Sequence, residues 1–79
     1  MSPTVFRDGP FRFYFFSREE TRMHVHVSGP DGEAKFWLEP SVEIVANYGL
    51  KDTDLGRVRR VVDERREEIK DAWRSHFAG

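Results

Sequence analysis

Seventy-nine residues, 38% hydrophobic and 34% charged with a formal net charge of -1, leave room for one core and exclude a second domain. Seven Phe, two Trp and two Tyr make the chain too aromatic for a disordered segment, and the interleaved charges give no broad attraction to a phosphate backbone. The absence of cysteine removes disulfides and thiolate metal sites and fits a reducing cytoplasm, while no run approaches the roughly 18 apolar residues of a membrane span.

In chain order, Pro3 to Arg7 reads as a short strand that stops at the turn cluster Asp8-Gly9-Pro10. Phe11 to Ser17 alternates, with Phe11, Phe13 and Phe15 on one face and Arg12, Tyr14 and Phe16 on the other. Arg18 to Arg22 reads as a solvated charged loop. In Met23 to Val27, Val25 and Val27 alternate with His24 and His26, so the two imidazoles share a face. Ser28-Gly29-Pro30-Asp31-Gly32 is the densest turn signal and predicts a hairpin. Its return strand, Glu33 to Leu38, sends Ala34, Phe36 and Leu38 one way and Glu33, Lys35 and Trp37 the other. Glu39-Pro40-Ser41 breaks it, and Val42 to Ala46 is favoured as a last short strand over a helical turn.

From Asp52 the period changes. Leu55, Val58, Val62, Ile69, Trp73 and Phe77 follow three- and four-residue steps, which predicts one amphipathic helix with Asp52 as N-cap and ion pairs Arg59–Asp63 and Arg60–Glu64. Gly56 is its weak point. The expected architecture is α+β, a short antiparallel sheet of four to five strands packed on one C-terminal helix, with residues 1–79 forming a single domain.

If the phenylalanine and valine set faces the helix, Arg12, Tyr14, His24, His26, Lys35 and Trp37 occupy the opposite, exposed face. Cations, imidazoles and stackable rings contact unpaired nucleic acid, and Trp, Tyr and Arg equally mark protein interfaces. Arg12, Tyr14 and Trp37 are the candidate binding residues. His24 and His26, two apart on a strand, suit an acid/base pair, with Lys35 beside them to neutralise a phosphate or oxyanion. The plainer readings are packed or solvated histidines and a lysine that discourages edge pairing. A zinc site needs a third ligand, such as His76, and no metal or other cofactor is assigned. Arg57, Arg59, Arg60, Arg65 and Arg66 are interspersed with Asp63, Glu64, Glu67 and Glu68 and read as a solvated helix surface. No nucleotide-binding loop, nucleophile elbow or zincin motif is present.

Three stretches together carry a resemblance: Pro3-Thr4-Val5, Met23-His24-Val25-His26-Val27, and Glu33 through Pro40. Gly49-Leu50, Leu55, the Arg65-Arg66-Glu67-Glu68 run and Trp73 with His76-Phe77 extend it over nearly the whole chain. They resemble the small bacterial domain-of-unknown-function family 4160. In that family the histidine stretch usually reads His, variable, Pro, His, variable, His; here Thr21 and Met23 replace the first His and the Pro, which argues against a three-histidine metal site.

The resemblance implies a component of a toxin-antitoxin-like two-protein module, with a small protein encoded by a neighbouring gene as partner and RNA as a further ligand. A metal-independent ribonuclease using the histidine pair, and a homodimer in which the exposed sheet faces bury each other, are the alternatives.

Overall fold

The computed structural model describes residues 4–15 and 22–77. Pro3, Phe16, Ser17 and all of the charged loop except Arg22 lie outside the described residues. Five strands follow one another, β1 (Thr4–Asp8), β2 (Phe11–Tyr14), β3 (His24–Ser28), β4 (Glu33–Trp37) and β5 (Glu43–Tyr48). Two helices complete the order, α1 (Asp52–Glu64) and α2 (Arg66–Phe77). Each strand pairs antiparallel with its chain neighbour, giving the order β1-β2-β3-β4-β5, so the α+β architecture is as expected.

Period-two alternation does most of the work. Phe11, Phe13, Phe15, Val25, Val27 and Phe36 line one face and are buried against Val58, Val62, Ile69 and Trp73 of the helices. Fully burying such a side chain contributes about 1.5–3 kcal/mol. Phe6 of β1 stacks on Phe13 with ring centroids 4.6 Å apart, which carries the same core to the edge of the sheet. Bulges interrupt the ladder at both edge pairs, between Thr4 and Phe6 on β1 and opposite Lys35–Phe36 on β5. The last strand runs to Tyr48, two residues beyond the expected Val42–Ala46, because beyond the bulge Asn47 and Tyr48 still pair with Ala34 and Glu33 of β4.

The connection from β5 to α1 is held by Asn47, whose side chain both accepts from Leu50 N–H (3.0 Å) and donates to Leu50 C=O (3.1 Å). Gly49, at φ 98°, turns the chain there, and a Cβ on Gly32 of the β3–β4 turn would collide with the Tyr48 carbonyl. Glycine at both positions lets the hairpin turn and the connection touch.

The single expected helix is two. Between Val62 and Ile69 the chain runs through six charged residues, so no apolar side chain anchors that turn to the sheet. Arg65 leaves helical geometry (φ -109°, ψ 22°), although its N–H still reaches Val61 C=O at 2.9 Å. Beyond the break, Ile69 and Trp73 are buried in the core. Lys51 occupies the N-cap position without a side-chain bond, and Asp52 is the first helical residue, where its carboxylate favours the positive helix end.

Candidate recognition face

Cross-strand register sets the outer face as three rows. The middle row is Thr4, Tyr14, His26, Lys35 and Ala46; Arg12, Ser28, Glu33 and Tyr48 flank it on one side, His24, Trp37 and Glu43 on the other. All six residues expected on this face therefore share it. Because β4 lies inside the sheet, Lys35 does not guard an edge.

These side chains form a continuous ladder. Arg12 donates to Thr4 Oγ1 at 2.7 Å and lies 4.6 Å over the Tyr14 ring, which stacks on His26 at 5.4 Å. His26 meets His24 edge-on at 5.1 Å, and His24 meets Trp37 edge-on at 5.7 Å. Trp37 carries two cations, Arg22 at 4.2 Å and Lys35 Nζ at 4.9 Å. Each such contact contributes about 0.5–1 kcal/mol at an exposed site, enough to bias side-chain orientation but not to hold the fold.

Two members are not exposed as expected. His24 is 0% and Tyr14 5% accessible. Trp73 of α2 reaches around the end of β3 to within 5.0 Å of the His24 ring, while Tyr14 is flanked by Arg12 and His26. His24 Nδ1 is 2.7 Å from the Arg22 carbonyl oxygen; a carbonyl only accepts, so Nδ1 carries the proton. His24 is thus built into the packing, and the solvent-facing chemistry of this face rests with His26 and Lys35.

Tyr48 and Arg22 belong to the face and were not among the residues expected there. Tyr48 is 72% exposed and, with His26, Glu33, Lys35 and Ala46, borders a shallow cleft of about 210 Å³. That is below the roughly 300 Å³ at which drug-sized pockets begin, and suits one inserted side chain or ring. Ala46 and Tyr48, two apart, share this face, whereas the bulge at Val45 turns Ile44 to the other, a break that alternation alone does not reveal. Arg22 donates to the Glu39 carbonyl at 3.2 and 3.3 Å while covering Trp37, a contact spanning 17 residues that local pattern does not encode.

The helix arginines are more than a solvated surface. Arg66 donates to the carbonyls of Leu38 (2.9 Å) and Pro40 (3.0 Å), Arg59 turns to Val42 C=O (3.4 Å) instead of Asp63, and Arg57 pairs with Asp8 (3.6 Å). Arg65 lies 3.5 Å over Phe6 and makes two hydrogen bonds to Glu68, which hold the Glu68 carboxyl below and the Arg65 guanidinium above their ordinary pKa values. These arginines fasten the helices to the sheet. Lys70 is nearly buried between Glu39 and Glu67, 3.7 Å from each.

Among the described residues, no three His, Asp or Glu side chains converge as metal ligands do, and no helix is long and apolar enough to cross a membrane. No curated protein and no solved structure matches the chain. A family model does, over residues 10–74, which takes in β2 through most of α2 and every residue of the ladder except Thr4. The chain belongs to the family described as domain of unknown function DUF4160.

Proposed function

We propose that this protein is one component of a toxin-antitoxin-like two-protein module and holds a small partner protein, encoded by a neighbouring gene, on the outer face of its sheet. The observation that carries this reading is Trp37 with Arg22 and Lys35 on its ring, with the exposed Tyr48 two rows away on the same face. Interface hot spots are built from Trp, Tyr and Arg in such clusters. The net charge of -1 favours a protein over a polyanion as first ligand.

Unpaired RNA is the second reading, favoured by the ring-sized cleft between Tyr48, His26 and Lys35, where a base can stack while a cation meets its phosphate. A ribonuclease using His24 and His26 as acid and base has less support, because His24 is enclosed by Trp37 and Trp73.

Co-expression with the neighbouring gene product, followed by co-purification and growth assays of each alone, tests the reading. A stable complex is expected, with growth arrest by one component relieved by the other. Lys35→Glu should weaken the complex at least about tenfold with the fold intact. A complex indifferent to Lys35→Glu places the interface elsewhere; no complex and no growth effect discards the module.

A further inference from the structure

The charges of this chain are sorted by face. Cross-strand pairing extends the Arg12 row to β1, so that Arg7, Arg12, Ser28, Glu33 and Tyr48 follow one another across the five strands on the outer face. With Lys35 in the middle row and Arg22 over Trp37, the described part of that face carries Arg7, Arg12, Arg22 and Lys35 against the carboxylates Glu33 and Glu43. The whole chain carries -1. A net positive face therefore sits on a molecule whose remainder is net negative.

Part of that charge is set against the fold. Arg7 and Arg12 stand directly opposite each other on β1 and β2, where like charges destabilise a sheet. Arg7 is exposed and, among the described residues, makes no hydrogen bond or ion pair. Asp8, the carboxylate next to it in sequence, belongs to the other face and pairs with Arg57. An anion over Arg7 and Arg12 would turn this unfavourable pair into a favourable cluster.

We propose, taking the outer face as the partner site, that the partner presents an acidic surface with one group of carboxylates over Arg7 and Arg12 and a second over Lys35 and Arg22. At the usual spacing of about 4.8 Å between strands, the two positions lie about 12 Å apart across the sheet. Tyr14 carries Arg12 on its ring, and Trp37 carries Arg22 and Lys35, so three of the four cations are oriented before the partner arrives. Such pre-organisation lowers the cost of binding, and guanidinium groups accept carboxylates through paired hydrogen bonds.

A nucleic acid is the poorer occupant. Glu43 is paired directly with Trp37, and Glu33 borders the Tyr48 cleft beside Lys35. A strand with a phosphate on every nucleotide meets a carboxylate beside each ring on which a base would stack, whereas a folded surface places its charges individually.

Titration of the purified chain with the neighbouring gene product tests this. Affinity should fall at least about tenfold between about 50 and about 400 mM sodium chloride. Arg7→Glu should weaken the complex about tenfold, chiefly by slowing association, while raising the melting temperature of the free chain because Arg12 then faces a carboxylate. Glu33→Lys should tighten the complex. A complex that responds to Lys35→Glu but to neither salt nor Arg7→Glu keeps the partner on this face and overturns the acidic surface. A single-stranded uridylate oligomer that displaces the partner and binds more tightly overturns it in favour of nucleic acid, and the absence of any complex overturns it together with the partner site.

Discussion

On the covered face of the sheet, Phe11, Phe13 and Phe36 lose their contact with water against Val58, Val62 and Ile69. On the opposite face, Tyr14, His26 and Trp37 are partnered by Arg12, Arg22 and Lys35. The strands are the same, and so is the taste for aromatic rings. What differs is the companion: aliphatic side chains on one face make a ring part of the core, and cations on the other orient it while keeping polar groups at the surface. Stability and recognition are thereby assigned to alternate residues of each strand, which allows them to be perturbed separately.

Substitutions should expose that division, beginning with the largest effect. Phe36→Ala should lower unfolding free energy by about 3–5 kcal/mol in urea titrations, a large share of what a domain this small holds. His24→Ala tests the exception: though on the outer face by register, it should cost about 2–4 kcal/mol because it leaves a gap between Trp37 and Trp73. Any binding lost in that variant then reports on fold as well as contact. Arg66→Met should cost about 1–2 kcal/mol, since the carbonyls of Leu38 and Pro40 lose a charged donor.

Lys35→Glu should shift stability by no more than about 0.5 kcal/mol while weakening partner capture, the sharpest contrast with Phe36→Ala. The smallest effect concerns Glu68. Its carboxyl is held below the ordinary value first by the hydrogen bonds from Arg65, so the stabilisation is present above the unfolded carboxyl pKa and disappears as pH falls through the folded one. Glu68→Gln should therefore trail the wild type slightly near neutrality and converge with it in acid, as read from thermal unfolding at several pH values.

Much of this division was legible in the sequence. Alternation in Phe11–Phe15, His24–Val27 and Glu33–Leu38 gave both faces, and the turn residues at 8–10 and 28–32 gave the hairpins. The misses share a cause. The burial of His24 under Trp73, the cover of Trp37 by Arg22 and the grip of Arg66 on Leu38 and Pro40 join residues 15 to 49 positions apart, beyond what a local period can report. The break at Arg65 had a local sign in the missing apolar residue between Val62 and Ile69, but the stripe resumes in phase and conceals it.

The order of elements along the chain has a consequence during synthesis. All five strands precede both helices, and each strand pairs with the one made just before it, so hairpin closure can begin on the ribosome without distant segments. The covering layer arrives last. At about 5–20 residues per second, the phenylalanine face stands uncovered for on the order of seconds between emergence of Tyr48 and of Phe77. That interval is when the nascent protein is most exposed to aggregation, and slowing translation through α1 and α2 should lower its soluble yield.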